Sequence, residues 1–298
     1  MNPILRRIGF SPTDRVVILH ADDIGMCQAT LTAYDDLLDA RLASSAATMV
    51  PCPWFNGLAE LVQRRAGHPR LDIGVHLTLT SEWRSYRWRP LTTSDPASGL
   101  LDGEGYFPAQ SLPVFQRADP AAVRAELVAQ VQAALAAGID VTHVDNHMLT
   151  LFHPSLLPVY IDVARQFHLP PFLVHIPPSW QRHMGYNAGD IAAAQRVIDQ
   201  AAEAGLPVFD FFAVLSLDKH TNRLNEVKAL LNELPAGLSN ILFHPAVDTP
   251  ELRAIAPDWR CRVADHQLFT GDALRGLLAE AGVQVIGFRA LRDVIRNE

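Results

Sequence analysis

Acid and imidazole side chains recur at the ends of apolar runs in this chain. Val16-Val17-Ile18-Leu19-His20 leads into Ala21-Asp22-Asp23-Ile24-Gly25, and Leu71-Asp72-Ile73-Gly74-Val75 leads into His76. Ile139-Asp140-Val141-Thr142 leads into His143-Val144-Asp145-Asn146-His147, and Asn240-Ile241-Leu242-Phe243 into His244-Pro245. Carboxylate and imidazole are the donors of hydrolytic metal sites. His143, Asp145 and His147 alternate, so on a strand they share one face while Thr142 and Val144 take the other. Burying that face is costly unless its groups pair or bind a metal. A hydrogen-bonded polar cluster is the competing explanation. Asp22-Asp23 taken alone fits a turn, as does Ile24-Gly25. After an apolar strand, two like charges need a compensating cation, and one carboxylate can then ligate while the other acts as base. His76 and His244 singly are more often structural. His20, His153 and His175 have weaker claims. The constellation outweighs any member. One carboxylate and two imidazoles would leave water positions open on a divalent metal, zinc being favoured by nitrogen ligands and magnesium being the alternative.

Polar groups delivered at successive strand ends mark the active edge of a parallel barrel or open sheet. The apolar runs predict strands at Arg15–His20, Ser45–Val50, Leu71–Leu79, Asp140–His147, Phe172–His175, Pro207–Ala213, Asn240–Pro245 and Gln284–Phe288. That is about the eight that a (β/α) barrel needs. The clearest helix follows Asp119-Pro120, carries the stripe Val123, Leu127, Val131 and Leu135, and stops at Gly138. Others are expected near Gln28–Arg41, Pro154–Phe167, Gly189–Ala204, Asn222–Leu234 and Gly271–Ala281. Alternation breaks at Ser81–Asp119, read as a long lid-like loop, and at the irregular stretch Pro177–Ala188. Trp54, Phe55, Trp83, Tyr86, Trp88, Tyr106 and Trp180 fall in irregular segments, where they suit either stacking on sugar rings or closing the barrel mouth. With no linker or repeat, residues 1–298 read as a single α/β domain, parallel strands inside and helices outside.

The composition is that of an ordinary globular protein, with 49% hydrophobic and 19% charged residues. A formal net charge of -7 without a basic run argues against nucleic acid. No apolar run is long enough for a membrane span or a secretory signal. Cys27, Cys52 and Cys261 are odd in number and widely spaced, which reads as reduced thiols in a cytoplasm; Cys27, four residues after Asp23, is the one nearest the motifs. Neither a Gly-x-Ser-x-Gly elbow nor a nucleotide-binding glycine motif occurs.

These motifs resemble the YdjC-type carbohydrate deacetylases, which act on chito-oligosaccharides and related N-acetylated sugars. The similar elements are Ala21-Asp22-Asp23-Ile24-Gly25, Gly74-Val75-His76-Leu77-Thr78-Leu79, Thr142-His143-Val144-Asp145-Asn146-His147 and His244-Pro245, in the family's order. The resemblance implies an irregular TIM-like (β/α) barrel, one divalent metal and often a homodimer. It implies Asp23, His76 and His147 as metal ligands and Asp22 as the base that deprotonates water. His244 is implied as the acid or the stabiliser of the tetrahedral intermediate, with His143 and Asp145 fixing imidazole tautomers from behind. Two positions depart from the family: His20 stands where asparagine is usual, and Met148-Leu149-Thr150 replace further histidines. The expected activity is metal-dependent removal of an acetyl group from an N-acetylated sugar. The rival readings are hydrolysis of a non-sugar amide or an ester, and a non-catalytic sugar-binding barrel.

Overall fold

The computed structural model describes residues 2–297. Its strands are β1 (Arg15–Ile24), β2 (Ser45–Thr48), β3 (Ile73–Leu77), β4 (Val144–Asn146), β5 (Phe211–Val214), β6 (Gly237–Phe243) and β7 (Gln284–Val285). All pair in parallel, in the order β4-β3-β2-β1-β6-β5, and β7 joins β1 at Val16 and Val17. Two backbone bridges, Val144 to Pro171 and Val174 to Phe209, carry the sheet from β4 round towards β5. The result is an irregular TIM-like barrel surrounded by helices.

The strand expected at Phe172–His175 survives only as those bridges. Pro170 and Pro171 have no N–H to donate, so a regular ladder cannot form there. Phe172 N still donates to Val144 O at 2.8 Å, and Phe209 N to Leu173 O at 2.8 Å. The strand expected to end at Phe288 stops at Val285, and Phe288 opens the helix Phe288–Arg296. β1 runs on past His20 to Ile24, with every residue from Val16 buried. Registry then places side chains at common levels: His20 lies beside Leu242, Ile18 beside Asn240, and His76 beside Asp145.

The helix after Asp119 spans Pro120–Ala136, and the Asp119 side chain accepts from Ala121 N. Val123, Leu127 and Val131 are buried, but Leu135 is 41% exposed and Ala134 takes the next inward position. The helix also buries Glu126 and Gln130. Gln130 bonds the backbone of Thr78, while Glu126 accepts from Leu91 N, Thr92 N and Thr92 Oγ1. The segment 81–119 is thereby pinned to the barrel. It contains a short turn, Pro96–Ser98, and the helix Ser111–Arg117. Trp83, Tyr86 and Trp88 pack on one another over the barrel mouth, with Trp83 and Trp88 rings 5.7 Å apart. Pro177–Ala188 is not wholly irregular, because Pro178–His183 is helical. Helices at Pro3–Ile8, Phe55–Arg64, Pro250–Ile255 and Trp259–Thr270 were not expected. Among the described residues no helix is long and apolar enough to cross a membrane, and Cys27, Cys52 and Cys261 are free and buried.

Candidate active site

A regular strand would send Asp22 and Asp23 to opposite faces. β1 instead shifts register between Ala21 and Ile24, and Asp23 sits at φ +62°. Aspartate is among the few residues that adopt this left-handed conformation readily. Both carboxylates consequently line one pocket of about 270 Å³ at the C-terminal end of the barrel. On β4 the chain turns immediately after His147, with Met148 and Leu149 also left-handed (φ +54° and +52°).

Three ligand atoms from three different strand ends converge there. Asp23 Oδ1 lies 3.4 Å from His76 Nε2 and 3.3 Å from His147 Nδ1, and the two nitrogens are 3.2 Å apart. Three corners of a tetrahedron with bonds of about 2.0–2.1 Å are separated by roughly 3.3 Å, so the triangle fits a zinc-like ion with one position open. The residues behind the triangle free these atoms for ligation. Asp145 Oδ1 is 2.8 Å from His76 Nδ1, Glu82 Oε2 is 3.0 Å from His147 Nε2, and Arg262 Nη1 donates to Asp23 Oδ2 at 2.8 Å. An ionised carboxylate only accepts, so each imidazole, when neutral, would carry its proton on the side away from the triangle and turn a lone pair towards it. Asp23 Oδ1 has no hydrogen-bond partner, although it is fully buried.

Electrostatics agree with a site built for a cation. Burial alone would depress His20 and His147, yet Asp145 and Asp22 beside the first, and Glu82 and Asp23 beside the second, raise each to about 10. His76 is raised against burial by Asp145 and Asp22. Burial would lift Asp23, but Arg262 and His147 hold it well below the usual carboxylate range. Asp145 is likewise lowered against burial, by His76 and His20.

The remaining expected residues sit around this core. Asp22 Oδ1 faces His20 Nε2 at 3.0 Å, while Oδ2 lies 3.8 Å from His76 Nε2 and 4.0 Å from His244 Nε2. His244 lines the same pocket, and burial lowers its basicity. Asp145 spans His76 and His20, accepting from both at 2.8 Å. His143 lies deeper: its ring stacks on Phe288 at 3.8 Å, meets His20 edge-on, and has Nδ1 3.0 Å from Thr142 Oγ1. A Cβ on Gly74 would fall 2.5 Å from the His143 ring, so only glycine leaves room for it. Two other groupings could reach a common ion, His20 with His143 and Asp145, and Asp22 with His76 and Asp145. Both depend on Asp145, whose oxygens already bind His76 and His20.

Glu82, Arg262 and Asp258 also line the pocket and were not anticipated, and Trp83, one of the aromatics expected to stack on sugar or close the barrel mouth, lines it with them. Arg262 bonds Asp258 at 3.0 Å and lies 5.4 Å from the Trp83 ring centre. The one signal available was Glu82-Trp83 following the apolar run at His76, which places an acid and an aromatic at a strand end.

Fold and site together define a class: parallel α/β barrels carrying, at their strand C-termini, a carboxylate–imidazole triangle with a second carboxylate beside it. Within that class the chain belongs to the YdjC-like protein family, whose model matches residues 16–280. A protein from Thermus thermophilus named carbohydrate deacetylase is 32% identical over 98% of this chain and 99% of its own length. Another of that name, from Vibrio cholerae serotype O1, is 27% identical over 92% of this chain and 96% of its own length. A solved structure from Enterococcus faecalis V583, whose name assigns it provisionally to cellobiose-phosphate cleavage, superposes with a TM-score of 0.75 at 21% identity. It covers 93% of this chain and 99% of its own, and shows the fold.

Proposed function

We propose that this protein is a metal-dependent carbohydrate deacetylase, hydrolysing the C–N bond of an N-acetylated sugar to give acetate and the free amine. The observation that carries the reading is the Asp23–His76–His147 triangle with Asp22 and His244 beside it in the same pocket. Relatives named carbohydrate deacetylase support the substrate class. A divalent cation held by the triangle, zinc in preference to magnesium because two donors are nitrogen, would supply Lewis-acid polarisation of the acetyl carbonyl and a water of lowered pKa.

Asp22 is the base. Its Oδ2 is not bonded to any of its neighbours and faces the pocket, so it is free to take a proton from the attacking water. The water oxygen bonds the carbonyl carbon and the C–N bond breaks. His244 starts as neutral imidazole because burial disfavours its charge. It therefore relays the proton from Asp22, 4.0 Å away, to the departing nitrogen. Asp145, Glu82 and Arg262 hold the three ligands in place. His143 and Phe288 form the floor on which His20 rests. The three free thiols suit a reducing compartment, the cytoplasm, and a homodimer is the assembly that the family resemblance implies.

The test is acetate release from a panel of N-acetylated mono- and oligosaccharides, beside simple aryl amides and esters. Acetate from sugars alone supports the reading. Turnover confined to non-sugar amides or esters overturns the substrate class, and sugar binding without any turnover overturns the enzyme.

A further inference from the structure

His244 stands one residue beyond β6, whose pairing with β1 ends at Phe243 and Ala21. Its backbone is therefore no longer held by the sheet. Its ring is not held from behind either, because among the described residues the buried Nδ1 has no hydrogen-bond partner. In this it differs from His76 and His147, whose far nitrogens meet Asp145 and Glu82. The helix Trp259–Thr270 takes the place of the sheet. The fully buried Asp265 accepts from His244 N through Oδ2 at 3.0 Å. Pro245 has no N–H to offer, and the next residue, Ala246, donates its own to Arg262 O at 3.1 Å. The Arg262 side chain holds Asp23. One helix thus fixes both the triangle and the His244 backbone, through residues three apart on one face.

Asp265 is itself held. Its Oδ1 faces Arg223 Nε at 3.0 Å, with both side chains almost wholly buried. Arg223 gives its other nitrogens to Glu226, at 2.8 Å, and to Ser216 O. Glu226 also accepts from Ser216 N at 3.0 Å. For stability alone such a pair is replaceable, since well-packed apolar residues of similar volume serve a fold as well as a buried ion pair. What an apolar pair cannot do is accept from the His244 N–H. We propose that Asp265 is a positioning residue for the proton relay: by holding the His244 N–H it keeps the imidazole within reach of Asp22, while Arg223 and Glu226 keep its carboxylate in place. This rests on the role given to His244 above and deepens it. Nε2, 4.0 Å from Asp22 Oδ2, is at the far end of the side chain, so a small backbone rotation at His244 displaces it. A misplacement of about 1 Å costs on the order of 100-fold in rate.

Two double variants separate this role from a share in folding. Arg223→Leu with Asp265→Leu removes the ion pair and the acceptor. Arg223→Leu with Asp265→Asn removes the pair but leaves a carbonyl oxygen for the His244 N–H. Neither leaves one partner of the pair buried as an uncompensated charge, the change that destabilises most. In acetate release by the zinc-loaded proteins, the first should lose about 100-fold in kcat, with KM and zinc affinity within about twofold of wild type. The second should recover at least about tenfold of that loss. Equal kcat in the two variants, or a loss carried by KM, overturns the inference. The His244 ring proton resonances, assigned by their absence from His244→Gln, give a readout free of turnover. They should move in the first variant and stay near their wild-type positions in the second, and the same shift in both overturns the inference. Absence of acetate from the wild type counts against the deacetylase reading, and the resonances still decide whether Asp265 places His244.

Discussion

Replacing Arg262 by methionine keeps the stem of the side chain and removes its charge. Asp23 would then be a fully buried carboxylate with nothing bonded to either oxygen, because Oδ1 is already without a partner. Removing one partner of a buried ion pair costs about 3–5 kcal/mol. The lower end applies here, because the His147 ring stands 3.3 Å from Asp23 Oδ1 and holds a proton readily in the absence of metal. Asp258 contributes little to the loss, since it keeps access to water and can be solvated. About 3 kcal/mol at about 2 °C per kcal/mol, the value for large domains, lowers the melting temperature of the chelated protein by roughly 6 °C. A cation on the triangle supplies the missing charge. Zinc should therefore bind the variant more tightly than the wild type, so at one fixed zinc concentration it stabilises the variant more and narrows the gap between the two. The assay is thermal unfolding of wild type and variant, each with chelator and with zinc. A loss under 1 kcal/mol with chelator, or an equal loss with and without zinc, would refute the view that Arg262 holds Asp23 ready for a cation.

Asp22→Asn should retain the metal and lose about 10²–10⁴-fold in kcat, measured by steady-state kinetics beside elemental analysis; full activity would remove Asp22 as the base. Glu82→Gln should weaken metal binding about 10–100-fold in a chelator competition, because it frees the His147 tautomer; unchanged affinity would make Glu82 a bystander. His20 has a folded-state pKa raised from 6.5 to about 10, so its contribution to stability is fully present below about 6.5 and is lost as pH rises through about 10. His20→Asn should flatten the stability curve over that window; parallel curves for the two proteins would show that His20 is not charged in the fold.

The residues of the triangle were legible because they sit where strand periodicity ends: the His-x-Asp-x-His alternation and the acidic pair after an apolar run are local signals. Their supports were not. Arg262 lies in Trp259–Thr270, whose Trp-Arg-Cys-Arg-Val-Ala-Asp-His sequence carries no apolar stripe, and it reaches Asp23 from 239 residues away. Glu126 and Gln130 look like the solvent face of a helix by type, yet they are buried because each satisfies backbone groups of another segment. Asp22 and Asp23 share a pocket only because β1 bulges, and a two-residue period cannot announce a bulge. Eight predicted strands became seven with one reduced to bridges, since Pro170-Pro171 removes the donors that a ladder needs. The barrel was readable from strand ends, while its closure depended on prolines inside an otherwise apolar run.

The most direct test of the central claim is a metal titration of the stripped enzyme, following acetate release from an N-acetylated sugar as zinc is added. Activity should rise from the chelated baseline and break at one equivalent per chain in the wild type, with no rise for His147→Ala at the same zinc. Undiminished activity in chelator, or full restoration of His147→Ala by one equivalent, would contradict the assignment of Asp23, His76 and His147 as the site on which turnover depends.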